Sequence, residues 1–215
     1  MAPKYLCPAS GSSIIAQSKP NGSNPKHGFI AGASQPDGVS INATHLIRVD
    51  SGTSSIARAF IDGSNVDPLF IPDARPPDDV VLSGDFICCV NNASNSISRA
   101  NLDGADVKNR FIKTPAKVPD DTAVDSRYIC ISNYADGTIG RTRLDGSGTK
   151  KKNFIVGTSD ADASVARSNY LYWINGGLNS IARAGINGDN VNQNFLTDSD
   201  LPGFIPAAWW RRSRD

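Results

Sequence analysis

The sequence predicts an all-β chain, a five-bladed β-propeller of four-stranded antiparallel blades. Three observations carry this. Ser55-Ile56-Ala57-Arg58-Ala59-Phe60-Ile61-Asp62-Gly63 returns as Ser96-Ile97-Ser98-Arg99-Ala100-Asn101-Leu102-Asp103-Gly104, as Thr138-Ile139-Gly140-Arg141-Thr142-Arg143-Leu144-Asp145-Gly146 and as Ser180-Ile181-Ala182-Arg183-Ala184-Gly185-Ile186-Asn187-Gly188, with a weaker copy from Ser13 through Ile14 and Gln17 to Asn21-Gly22. The glycines at 22, 63, 104, 146 and 188 are 41, 41, 42 and 42 residues apart, a period that suits propeller blades. Every copy places Asp-Gly or Asn-Gly between apolar strands, a strong hairpin signal because both residues tolerate positive φ.

Each repeat holds four strands. After the glycine comes a short outer strand ending in Phe29-Ile30, Phe70-Ile71, Phe111-Ile112, Phe154-Ile155 or Phe195-Leu196. A loop carrying Pro36-Asp37, Pro77-Asp78 or Pro119-Asp120 leads into an inner strand of small and β-branched residues, such as Val39 to Ile41. An aromatic-led strand follows: Tyr170-Leu171-Tyr172-Trp173-Ile174-Asn175 in its fullest form, with copies from His45, Phe86 and Tyr128. Asn175-Gly176-Gly177 and Asp136-Gly137 read as the next hairpin turn, into the Ile-x-Arg strand.

The repeats are out of step with the blades. Tyr5 to Ser10 matches the aromatic strand, while Pro202-Gly203-Phe204-Ile205-Pro206-Ala207 matches the innermost one. The C-terminal strand is therefore expected to complete the N-terminal sheet and remove two open edges. The expected layout is a single domain, residues 1–215: blade one from 1–32 plus 202–210, then blades 36–73, 77–114, 119–157 and 161–198.

Net charge is +1 with a pI near 7.6, which supplies no electrostatic footprint for nucleic acid. No run approaches the roughly 20 apolar residues of a membrane span, and Met1-Ala2-Pro3-Lys4 leads into repeat sequence without an apolar leader. A soluble protein without signal peptide or membrane insertion is expected, one that a phage-like particle released by lysis would accommodate. Cys7, Cys88 and Cys130 share one repeat position, beside Cys89, and equivalent positions around a ring are poorly placed to pair. They read as reduced, buried thiols, and no cofactor is expected.

Five sets of residues invite a functional reading. Arg58, Arg99, Arg141 and Arg183 suggest an anion ring, but two residues after a core isoleucine they fit packing and carbonyl bonding better. Asp37, Asp78, Asp120 and Asp162 share a position just before the inner strand, where a propeller would set carboxylates around one mouth of its channel. Mutual repulsion there invites a metal or cationic ligand, with ordinary turn capping as the alternative. Asp79 and Asp121 add to that charge. Tyr172 and Trp173 could stack on a sugar, but their equivalents do not repeat the platform, and core packing explains them as well. Trp209, Trp210 and Arg211 form either a partner-docking hot spot or a lid over the seam. Lys150-Lys151-Lys152 reads as a solvated loop tip.

The strand from Tyr170 to Asn175 followed by Ile181 to Gly188 resembles the YWTD repeat of low-density-lipoprotein-receptor class B propellers. Val191-Asn192-Gln193-Asn194-Phe195-Leu196 is still more similar to bacterial 42-residue repeats with an Ile-Gly-Arg-Ala-Asn-Leu-Asp-Gly core. The resemblance covers nearly the whole chain and implies a propeller that serves as an interaction module. Tachylectin, a sugar-binding protein, is an architectural parallel for five-bladed closure.

Only His27 and His45 are present, and no nucleophile elbow, zinc-helix pair or phosphate loop appears. The sequence thus points to a non-enzymatic binding or assembly module, a structural or host-recognition component of a phage-like particle. Its partners would be proteins or a surface glycan, in a homo- or hetero-oligomer. A carbohydrate-binding lectin is the alternative, and a lyase or hydrolase at the channel mouth a further one, since streptogramin lyases assemble scattered loop residues on a propeller.

Overall fold

The computed structural model describes residues 9–10, 13–19, 21, 23–75, 77–114, 119–148 and 150–197. Among them, nineteen strands form five sheets. The first holds β1 (Ala9–Ser10), β2 (Ile14–Gln17) and β3 (Lys26–Ala31). The second holds β4 (Pro36–Ile41), β5 (His45–Asp50), β6 (Ser55–Phe60) and β7 (Asp67–Ile71). The third holds β8 (Asp79–Ser83), β9 (Phe86–Asn91), β10 (Ser96–Asn101) and β11 (Lys108–Lys113). The fourth holds β12 (Pro119–Val124), β13 (Tyr128–Asn133), β14 (Thr138–Arg143) and β15 (Lys151–Val156). The fifth holds β16 (Ala161–Arg167), β17 (Tyr170–Asn175), β18 (Ser180–Gly185) and β19 (Asn192–Thr197). Strands follow chain order in every sheet, so each is a meander of hairpins.

This is an all-β propeller fold with four-stranded blades. The expected count of five is corrected to four complete blades among the described residues, because the first sheet has three strands there. Its expected fourth, in 202–210, lies outside the described residues, as does the strand start at 5–8.

The described residues fall into two compact units, 9–89 with 98–109, and 90–97 with 110–197. In the first unit, Ile15 and Ile30 of one sheet pack on Leu46 and Ala59 of the next. Ile47, Val49, Ile56 and Ile71 then meet Val80, Ile87, Cys89 and Ala100. In the second, Ile139 and Ile155 pack on Leu171, Trp173, Ala182 and Ala184. Within each unit, isoleucines of one sheet's third and fourth strands pack on its successor, whose own third strand contributes alanines: Ala59, Ala100, Ala182 and Ala184. Each buried isoleucine contributes about 1.5–3 kcal/mol.

Burial explains the residue types. Second strands are enclosed on both faces and read as unbroken buried runs, as in β5, β9, β13 and β17. Outer strands bury one residue: Ile30, Ile71, Ile112 and Ile155 are at most 2% exposed. Leu196, their equivalent in β19, is 46% exposed.

The Asp-Gly hairpins form as the sequence predicts. Asp62 Oδ1 accepts from Ser64 N and Oγ at 2.9 and 2.6 Å, and Asp145 does the same with Ser147 at 2.8 and 2.6 Å. Gly104 has φ +88°, and a Cβ there would meet the Phe70 ring at 2.8 Å. The turn between second and third strands is a short 3-10 turn closed by a left-handed residue, Ser54, Asn95, Gly137 or Asn179. Lys151 and Lys152 belong to β15, so the loop-tip expectation is corrected: they stand on an outermost strand.

Candidate functional site

The candidate site is built at the start of the innermost strands. Pro36 pairs with Asp50 and Val39 with Arg48, leaving one residue too many on β4. The same bulge lies between Pro119 and Thr122 on β12 and between Ala161 and Ser164 on β16. Asp37, Asp120 and Asp162 each follow the first paired residue of such a bulge, and Asp78 immediately precedes β8. A bulge kinks its strand and re-aims its side chains, a device common beside functional sites. Asp37 is exposed and the other three are half-buried.

The second acidic position does different work. Asp121 Oδ2 accepts from the backbone N–H of Ser164 and, at 2.7 Å, from its hydroxyl, so it stitches β12 to β16. In the first unit, Gly38 leaves room for Asp79: a Cβ on Gly38 would lie 2.9 Å from Asp79 Cα. A strand-to-strand bond spanning 43 residues has no local signature, which is why the sequence assigned Asp121 only to a charged mouth. Among the described residues, no group of three or more His, Cys, Asp or Glu side chains is placed to hold a metal ion.

The repeated arginines are absorbed by aromatic rings. Arg58 lies 3.7 Å from the Phe70 ring centroid and Arg99 4.2 Å from that of Phe86. Arg141 sits between Tyr128 and Phe154 at 4.3 and 3.8 Å, and Arg183 between Tyr170 and Phe195 at 4.5 and 4.0 Å. Arg141 Nη1 also donates to the Ile186 carbonyl at 2.9 Å, joining adjacent sheets. The sequence indicated the carbonyl bond. It missed the ring sandwich, although the first residue of the second strand and the phenylalanine of the fourth recur with the arginine.

Tyr172 and Trp173 lie in the interior. Trp173 is 0% exposed and donates Nε1–H to Asn175 Oδ1 at 2.9 Å, while Asn175 Nδ2 donates to Gln193 Oε1 at 2.8 Å. Tyr172 is 9% exposed with its ring 6.0 Å from Phe195. Neither offers an open face for stacking a sugar. At the position of Trp173, β5 carries Arg48, which is 1% exposed and bonds Asp50 through Nε and Nη2 at 2.8 and 2.9 Å. Nothing in the sequence flagged this buried pair. Trp209, Trp210 and Arg211 lie outside the described residues.

The other reactive groups are muted. Burial pushes the Cys88 thiol up to about 11 and Cys130 to about 12, and burial, then the neighbouring Cys88 and Asp79, holds Cys89 well above the ordinary thiol range. Such thiols are poor nucleophiles. Burial, then the Arg58 charge, holds His45 below its usual value, and its Nδ1 lies 2.8 Å from Thr44 Oγ1.

By sequence, the chain matches no protein-family profile and no characterised protein. By structure it is similar to the nidogen/laminin complex, with a TM-score of 0.76 at 16% identity over 85% of this chain and 72% of that one. A gluconolactonase from Xanthomonas campestris gives 0.73 at 15% over 90% and 72%. A streptogramin B lyase gives 0.65 at 16% over 88% and 64%. These identities carry the fold alone. They nevertheless correct the expectation of a non-enzyme: two of these neighbours are enzymes, so missing local motifs are no argument against catalysis on this fold. Among the described residues, no helix is long and apolar enough to cross a membrane.

Proposed function

We propose that the chain is a β-propeller binding module that recognises a protein partner at the bulged ends of its inner strands. The observation behind this reading is the bulge itself. Three inner strands spend an extra residue at one place and seat Asp37, Asp120 or Asp162 there. In this reading Asp37 and Asp78 in one unit, and Asp120 and Asp162 in the other, each stand at the start of an inner strand and receive cationic side chains of the partner. The nidogen neighbour, solved in complex with laminin, supports a protein partner.

The reading takes the propeller as one domain of five blades with repeats of the bacterial 42-residue type, closed when 202–210 completes the sheet of β1 to β3. The test is calorimetric titration with lysine- and arginine-rich peptides. Replacing all four aspartates by asparagine should weaken binding at least about tenfold, roughly 1.4 kcal/mol, without shifting the melting temperature by more than a few degrees. Unchanged affinity would overturn the reading.

A second reading, a lyase or hydrolase using the same carboxylates, is favoured by the gluconolactonase and streptogramin B lyase neighbours. Turnover of gluconolactone or a B-type streptogramin, lost in Asp78→Ala/Asp120→Ala, would support it, and activity intact in that variant would remove it. No structural observation bears on a phage-like particle.

A further inference from the structure

We propose that the outer hairpin of the fourth sheet is a binding surface for an acidic polysaccharide, separate from the bulged strand ends. The end of β14, the turn and the start of β15 carry Arg143, Lys150, Lys151 and Lys152 against a single carboxylate, Asp145. Asp145 is engaged by Ser147 N and Oγ, and its pair with Arg143 is 3.8 Å long between side chains 55% and 60% exposed. Lys152 is half-buried and meets the half-buried Asp136 at 3.4 Å, which answers its charge. Water screens the exposed Arg143–Asp145 pair, so Arg143, Lys150 and Lys151 keep the cationic character of the hairpin in place.

Two further cations join the patch. Lys150 Nζ donates to the Lys113 carbonyl at 3.1 Å, which brings the exposed Lys113 at the end of β11 alongside. The Leu144 N–H donates to the Arg127 carbonyl at 2.9 Å and sets the exposed Arg127 at the hairpin's base. The whole chain carries a net charge of only +1, so this concentration of positive charge is local.

The repeat does not require it. The equivalent hairpin of the second sheet carries Asp62 and Asp67 and that of the fifth Asp189, without lysine; the first has Lys19 and Lys26 and the third has Lys108 paired with Asp106, so three consecutive lysines are found in the fourth alone. Lysine on an open edge discourages strand-to-strand aggregation, yet β7 and β19 are equally outermost and do without it. What remains is recognition. The patch is an exposed turn and strand start bearing flexible ammonium groups, suited to a polymer with repeated carboxylate or sulfate groups. Nucleic acid fits less well, because Arg141 covers the nearby rings of Tyr128 and Phe154 that would stack bases.

Binding to immobilised heparin and to alginate, read at about 50 and 200 mM salt, tests this, the affinity being expected to fall steeply between the two. Heparin presents sulfates and alginate carboxylates, so the arms separate the two anions. Wild-type protein should bind at least one. Lys150→Gln/Lys151→Gln/Lys152→Gln should bind at least about tenfold more weakly with a shallower salt dependence, and Lys19→Gln/Lys26→Gln should bind like wild type. If the triple variant melts early, Arg127→Gln/Arg143→Gln serves instead. In wild type, heparin or alginate should shield Lys150 to Lys152 from acetylation. No binding to either polysaccharide, equal weakening in the control variant, or tighter binding to a single-stranded oligonucleotide would overturn the proposal.

Discussion

One interior position is filled by Arg48, Cys89, Ile131 and Trp173 in four successive sheets, and where it carries a charged or ring N–H the residue two further on accepts from it. Asn175 accepts from the indole of Trp173, and Asp50 accepts a two-pronged bond from Arg48. Beside Ile131, which has no donor to offer, Asn133 Oδ1 is buried without a partner. Truncating one member of a buried ion pair strands the other charge, at about 3–5 kcal/mol, whereas replacing both is far milder. Arg48→Met should therefore lower the melting temperature by roughly 6–20 °C, and Arg48→Met/Asp50→Asn should regain most of it in a thermal melt. His45 makes a second prediction at this scale. Its folded pKa lies below the unfolded value of 6.5 because burial and then Arg58 disfavour the imidazolium. Stability is then full above pH 6.5 and declines as pH falls through the lowered folded value. In His45→Phe, which copies Phe86 and its equivalents, that part of the decline should vanish from melts recorded between pH 7.5 and 5. An unchanged acid slope would assign the loss to other groups.

At the scale of the blade, the unit of construction is a hairpin keyed to its predecessor. The glycine ending each Ile-x-Arg hairpin has positive φ, +86° at Gly63, +88° at Gly104 and +89° at Gly188, and the phenylalanine of the preceding outer strand packs where a Cβ would stand. The two demands coincide at one residue. Gly104→Ala would strain the backbone and push Phe70 aside, costing about 2 kcal/mol or more, a drop of roughly 4–8 °C. Loss of under 1 °C would show that Phe70 can retreat freely. The same keying made much of the blade legible in the sequence, since repeated glycines, isoleucines and turn aspartates all recur with one period. The arginine was legible as a packing residue, but its rings were not, because they come from two other strands. Lys151 and Lys152 were misplaced for a related reason: charge argues for a turn, and only pairing with β14 shows that they belong to a strand, while Lys150 stays in the turn.

At the scale of the molecule, the first sheet ends at β1 with three strands among the described residues, where the complete blades have a fourth. If 202–210 closes the first sheet, deleting 198–215 should expose that edge and the apolar surface around it. Removal of even a short ordered strand costs several kcal/mol of burial and pairing, so the truncated chain should melt at least about 10 °C lower and aggregate. An unchanged melting temperature would mean that the described sheets stand without a closing strand. Repetition alone was enough to announce a meander of thin sheets, because period, turn chemistry and apolar alternation are all properties of neighbours along the chain. The bulges that aim Asp37, Asp120 and Asp162, the stitch from Asp121 to Ser164, the salt bridge sealed inside β5 and the basic hairpin edge emerged only once the chain was folded. Each depends on which strand lies beside which and on how much water remains between them, and linear order encodes neither.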